Sequence, residues 1–131
     1  MSRKRSAYTC DMQATGAEQH QPQRARRSNC PVACSLDLLG DRWTLLVIRD
    51  LFQGKSRYSE FLASAEGIPT NILADRLRRL EQAGLISTSQ YSGHSRRKAY
   101  TLTAAGKSLG PTLNALREWG LEQFPGTGAP D

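Results

Sequence analysis

Cations interleaved with small polar and aromatic side chains occur at three places in this chain. Arg57, Tyr58 and Ser59 stand together after a glycine-stopped apolar run. Thr70, Asn71, Asp75, Arg76 and Arg79 fall on one stretch of helical periodicity. His94, Arg96, Arg97 and Lys98 follow Gly93 in a short turn. Guanidinium and ammonium groups neutralise phosphates, arginine pairs with guanine, asparagine pairs with adenine, and an apolar group such as Ile72 can touch a thymine methyl. Together they would make a surface that binds duplex DNA and reads it. Each has a plainer alternative: a solvated helix in which Asp75 and Arg79 form an i,i+4 pair, and a charged loop in water. Their close succession favours the DNA surface.

Other chemistry finds little support. The three cysteines, Cys10, Cys30 and Cys34, are odd in number, and no histidine lies near the last two. Neither a disulfide framework nor a metal site is expected. His20 and His94 are poorly seated for catalysis, and no nucleophile–base set, carboxylate pair or phosphate loop is readable. The expectation is a protein that is not an enzyme and needs no cofactor.

The chain has 131 residues and a net charge of +6, enough for one domain with tails. Residues 1–29 hold six cations against Asp11 and Glu18, and so carry most of the excess charge. They are polar and aperiodic, which predicts a disordered basic tail. Such a tail attracts phosphates, or merely solubilises. Residues 125–131 read as a flexible end. No apolar run is long enough to span a membrane, and no secretory signal is readable, so a cytoplasmic protein is expected.

The packed domain is expected over 30–124. Pro31 suits a first helical turn, and Val32, Leu36 and Leu39 follow helical spacing. Gly40 ends that helix and Asp41 can cap the next, which runs through about Phe52 and is apolar nearly all round. It should be the central buried element, with Trp43 as a structural residue. Gly54 stops it. A short helix over 57–64 places Tyr58, Phe61 and Leu62 inward. A third long helix, 70–83, buries Leu73, Leu77 and Leu80 and turns Asn71, Asp75, Arg78, Arg79 and Gln82 outward. The segments 85–91 and 97–103 favour strands, with 92–96 as a hairpin tip. Thr103 can cap a last helix, in which Gly110-Pro111 forces a kink or restart. Its stripe is Leu109, Leu113, Leu116, Gly120 and Phe124. The fold class is mainly α with a small β-hairpin (α+β), arranged as a winged helix-turn-helix. In that arrangement Arg57 and Ser59 lie where the first helix of the pair crosses the phosphate backbone, and the start of the 70–83 helix enters the major groove.

The segments "CPV" at 30–32, "LLGDRWTLLVIRDLFQGKSRYSEF" at 38–61, "GIPTNILADRLRRLEQAGLI" at 67–86, "YTLTAAG" at 100–106 and "LREWG" at 116–120 resemble the HxlR-type transcriptional regulators, which are MarR-like. The likeness covers essentially residues 30–121. It implies a homodimer binding inverted-repeat operator DNA, most simply as a repressor. Dimerisation would use additional N- and C-terminal helices, 31–39 and about 104–123. The apolar stripes of both segments agree with this. The likeness also makes Cys30 a candidate sensor of oxidants or electrophiles. A thiol just before a helix has its thiolate favoured by the helix dipole, which supplies a physical route. A small apolar or aromatic effector near Trp119, Tyr58 and Phe124 is another candidate input, against the plainer reading of these aromatics as core. The competing reading is a winged-helix protein-interaction module that does not read DNA sequence. The shared face expected for Arg57, Arg76, Arg79 and Arg96 to Lys98 argues against it.

Overall fold

The computed structural model describes residues 27–90 and 98–128. Along them run helices α1 (Pro31–Leu39), α2 (Thr44–Phe52), α3 (Tyr58–Leu62) and α4 (Thr70–Gln82), strands β1 (Ile86–Gln90) and β2 (Lys98–Leu102), and helices α5 (Ala104–Lys107) and α6 (Gly110–Gln123). The strands pair antiparallel, with Ile86 opposite Leu102 and Gln90 opposite Lys98. This is the expected winged helix-turn-helix order. The chain divides into two compact units, one reaching Leu46 and the other starting at Val47.

In the first unit, Pro31 occupies the opening turn of α1, where its missing N–H loses no hydrogen bond. The Cys30 amide donates to Ser28 Oγ at 2.9 Å, the Cys34 thiol reaches the Ser28 carbonyl at 3.2 Å, and Arg27 pairs with Asp37 at 2.7 Å. Residues 27–29, read from the sequence as the end of a tail, thus hold the start of α1. Gly40 closes that helix by donating to the Leu36 carbonyl at 2.8 Å. A Cβ on Gly40 would stand 2.4 Å from the same oxygen, so glycine is required there.

Asp41 does not cap α2 at its first residue, as the sequence suggested. Its carboxylate accepts from the Trp43 amide at 3.1 Å and from the Thr44 hydroxyl at 2.5 Å. These bonds shape residues 41–43 into a bend, and the helix begins only at Thr44. Local side-chain bonding of this kind competes with the helix it precedes. Trp43 is half-buried.

The second unit is built on Val47, Ile48 and Leu51 of α2, Phe61 of α3, Ile68 in the turn before α4, Leu73, Leu77 and Leu80 of α4, and Ile86 of β1, all buried. The i, i+4, i+7 leucines of α4 form one inward stripe, and each contributes about 1.5–3 kcal/mol by leaving water. The expectation that α2 is buried on all sides needs correcting. Phe52 is 42% exposed, Leu45 and Leu46 are only half-covered, and the buried face includes Asp50. Hydropathy placed apolar residues all round a helix that the fold covers unevenly.

Helices α2 and α4 end alike. Gly54 and Gly84 take φ of +98° and +80°. Their amides donate to Leu51 and Glu81, and the next amides, of Lys55 and Leu85, reach back to Asp50 and Leu80. Both are Schellman closures, which favour glycine at the left-handed position. Thr103 then knots the hairpin to α5. Its hydroxyl accepts from the Gly106 amide at 3.1 Å and donates to the Gly84 carbonyl at 2.7 Å. Its own amide donates to Leu85 at 3.0 Å. The last helix is interrupted as Gly110-Pro111 predicts: α5 stops at Lys107 and α6 restarts at Gly110, with Pro111 in its first turn. No residue of α1 or α6 is buried.

Candidate nucleic-acid interface

Arg57 is the extended residue that opens α3. It bridges to Ala99 of β2, and the Tyr100 amide donates to the Ser56 carbonyl at 2.8 Å. The residue before α3 thereby makes an isolated antiparallel bridge to the wing, beside the expected two-stranded sheet. The Glu60 carboxylate accepts from the Ser56 amide at 2.8 Å and from the Arg57 amide at 3.0 Å. Those two bonds hold the Glu60 carboxyl below its usual range. They also give the Arg-aromatic-x-Glu spacing its physical reason, since Glu60 reaches back one turn to fasten the residue that carries the guanidinium.

Tyr58 ties the same junction to α4. Its hydroxyl lies 2.7 Å from the Thr70 carbonyl and 2.7 Å from the Thr70 hydroxyl. A phenol has one proton, so it donates to the carbonyl and accepts from the threonine. Consecutive residues thus hold the two elements expected to face DNA, Arg57 the wing strand and Tyr58 the first residue of α4. Ser59, Thr70 and Asn71 are exposed around this junction.

Further along α4, Asp75 gathers arginines. It bonds Arg76 at 2.5 Å and Arg78, and Arg79 stands 3.6 Å away. Partial desolvation opposes ionisation of Asp75, and the bonds from Arg76 and Arg78 outweigh it, so the carboxyl titrates below its usual range. The Asp75–Arg79 pair expected from spacing is present, but it is the longest of the three. Arg76 lies against the helix with its side chain 16% exposed, whereas Arg78 is 56% exposed. Helical spacing turns Arg78 outward without giving it a place in a site. Its i+3 spacing from Asp75 was the available signal.

In the wing, Lys98 is exposed at the start of β2. His94, Arg96 and Arg97 lie outside the described residues. The strands are fastened to the helices beside them: Thr88 to Glu81 at 3.2 Å, and Tyr100 edge-on to Phe61 with centroids 6.1 Å apart. Cys30 belongs to the first unit, at the entry of α1. Cys30 and Cys34 are both half-buried, and the Cys34 thiol donates to the Ser28 carbonyl. Of the three aromatics considered for an effector, Tyr58 is engaged with Thr70, and Trp119 and Phe124 pack edge to face at 5.9 Å, both exposed.

Beneath the turn between α3 and α4 lies a polar network that sequence reasoning missed. The buried Asp50 accepts from Ser64 Oγ at 2.5 Å and from Arg49 at 2.9 Å. Lys55 donates to Ser64 at 2.9 Å. Arg49 also grips Glu66 with two bonds, of 2.9 and 2.8 Å. That clamp draws the Glu66 carboxyl down to about 2 and raises the Arg49 guanidinium. The network sets the end of α2 against the turn from which α4 departs.

A hairpin wing beside a two-helix unit, with cations along the junction, defines the winged helix-turn-helix DNA-binding fold. The chain belongs to the HxlR-like helix-turn-helix family, which matches residues 38–127. It is 42% identical over 94 residues to an HTH-type transcriptional regulator of Mycobacterium bovis, a match covering 72% of this chain and 59% of that protein. The chain thus spans about three-fifths of the length of that curated relative. Among solved structures, the transcription factor PA1607 superposes with a TM-score of 0.70 at 42% identity, over 81% of this chain and 71% of that one. The redox regulator HypR in its reduced form superposes with a TM-score of 0.66 at 29% identity, over 72% and 94%. Family and fold are those of transcription regulators, not of enzymes. No helix among the described residues is long and apolar enough to cross a membrane.

Proposed function

We propose that this protein binds inverted-repeat operator DNA as a homodimer and represses transcription there. The junction at residues 57 and 58 carries the reading: one end of it is bridged to the wing strand and the other is bonded to the first residue of α4. Base readout falls to Thr70, Asn71, Arg76 and Arg79. Phosphate contacts fall to Arg57, Ser59, Lys98 and the wing-tip residues His94, Arg96 and Arg97. Repression is the simplest output, because a bound dimer occludes promoter DNA.

Exposed apolar groups support the dimer. α1 leaves Val32 and Leu36 in water, and α6 leaves Leu116, Trp119 and Leu121. A twofold pair of chains would set two α4 helices roughly 34 Å apart, one turn of DNA. Selection of bound genomic fragments at moderate salt tests the whole reading. The expected yield is one palindromic sequence. Asn71→Ala should change which sequence is chosen. Lys98→Ala should weaken all sequences and flatten the salt dependence by about 1.8 per dimer, about 0.9 for each protomer's lost contact. A protein that enriches no sequence would instead be a winged-helix interaction module.

The signal we propose is modification of Cys30 by oxidants or electrophiles. Cys30 stands at the N-terminal end of α1, where the helix dipole favours the thiolate, and HypR, a structural relative, is a redox regulator. Mass spectrometry after diamide or quinone treatment is the test. Loss of operator affinity with Cys30 unmodified would refute it.

A further inference from the structure

The recognition helix α4 carries Arg76, Arg78 and Arg79 within one turn, and a carboxylate at the centre of the three. One Asp75 oxygen bonds Arg76 and approaches Arg79, and the other bonds Arg78. The side chain is one-third exposed, so it meets the same solvent and the same DNA as the arginines do. Such a carboxylate has two effects on binding to a polyanion. It subtracts one charge from the face that approaches phosphate. It also fixes the guanidinium groups in a set pose, so that they meet base edges by geometry rather than swinging onto the nearest phosphate.

Both effects act unequally on wrong and right DNA. Binding to an arbitrary duplex is almost wholly phosphate attraction, so it loses the full value of one cation. Binding to the correct site includes hydrogen bonds to bases, which gain from arginines held in place. We infer that Asp75 is a specificity-determining residue: it restrains the three arginines of α4 and thereby suppresses binding to non-operator DNA more than binding to the operator. This rests on the proposal that α4 reads DNA, and it assigns Asp75 a role other than contact with a base.

The test uses the full chain and two probes, a palindrome recovered by wild type from genomic fragments and a random-sequence duplex of equal length. Binding is followed by fluorescence anisotropy across a salt series. Asp75→Asn keeps the shape and removes the charge. It should tighten random DNA about five-fold at 0.15 M salt and steepen the salt slope by up to about 1.8 per dimer, about 0.9 for the counterion released at each protomer. The palindrome should gain less or weaken, so the ratio of the two affinities falls. Asp75→Glu, which restores the carboxylate, should return random-DNA affinity to the wild-type value. Glu81→Gln removes one charge near the other end of the same helix and should leave the ratio unchanged. The inference is overturned if Asp75→Asn tightens both probes equally, or if Glu81→Gln shifts the ratio as much. A wild-type protein that enriches no palindrome overturns this inference together with the DNA-reading proposal. A palindrome bound with an unaltered ratio in Asp75→Asn overturns this inference alone.

Discussion

The Tyr58 hydroxyl stands 2.7 Å from both the carbonyl and the hydroxyl of Thr70, so the first residue of α3 holds the first residue of α4. That bond pair fixes the turn of α4 that would enter the groove. Its bridged neighbour Arg57 fixes the wing strand. Tyr58→Phe removes only the oxygen and keeps the ring. Losing a bond of roughly 1 kcal/mol net should weaken operator binding about five-fold. The salt slope should not change, because no phosphate contact is lost. Anisotropy titrations at several salt concentrations separate the two quantities. A fall in slope would instead place the Tyr58 hydroxyl on phosphate.

Gly106 is buried where the knot at Thr103 meets the end of α4, and an added Cβ would lie 2.1 Å from the Leu85 carbonyl and 2.9 Å from Leu102. The first neighbour is backbone and cannot swing aside. Gly106→Ala should therefore cost about 1–3 kcal/mol, the range for forcing a methyl into a filled site. Urea unfolding measures it. Gly120 has nothing within 4 Å of its would-be Cβ, so Gly120→Ala on α6 is the control. It should hold or raise stability, because alanine is the better helix former.

These two sites mark how far the sequence could be read. The glycines that end α2 and α4, the Leu73–Leu77–Leu80 stripe, the hairpin and the restart at Gly110 all follow from local rules of periodicity and backbone freedom. They were legible because each depends on residues a few positions apart. Asp50 was not legible. It sits between Arg49 and Leu51 in an apolar run, and its partner Ser64 is fourteen residues away in a turn. Periodicity gives the face of a helix and says nothing of a polar partner brought in by tertiary folding. Tyr58 was legible as a residue that either packs or projects. Its bond to Thr70, twelve residues on, depends on the angle between α3 and α4. The arginines of α4 were found by spacing, but the depth at which Arg76 lies was not.

The Arg49–Glu66 clamp predicts a defined acid sensitivity. The Glu66 carboxyl titrates at about 2 in the folded chain against an ordinary 4.5. As pH falls the unfolded chain takes up this proton first, so the clamp stabilises fully above about pH 5 and is lost as pH approaches 2. Glu66 is 39% exposed, and solvent screening reduces the contribution to about 1 kcal/mol. Urea unfolding of Glu66→Gln should show it less stable than wild type by that amount at pH 7. Less than half of the gap, roughly, should remain at pH 3. An equal gap at both pH values would mean that Glu66 acts by packing, not charge.

The exposed face of α6 gives the proposed dimer a direct test. Trp119 is 58% exposed and Leu116 48%, with Phe124 packed edge-on against the tryptophan. Burying side chains of this size is worth about 1.5–3 kcal/mol each, so a stable pair of chains has a reason to cover them. Trp119→Glu should leave the protomer folded, because Trp119 is not part of its buried core, and circular dichroism checks that. Placing an unpaired carboxylate in the covered face costs several kcal/mol on the order expected for a buried charge. Sedimentation should then show a monomer where wild type shows a dimer. Operator affinity should fall by about 100-fold or more, since one half-site binds alone and the gain from a linked second site disappears. Affinity per protomer for random DNA should stay near its wild-type value, because the junction at Arg57 and Tyr58 is untouched. A Trp119→Glu protein that still sediments as a dimer would remove this face of α6 from the interface.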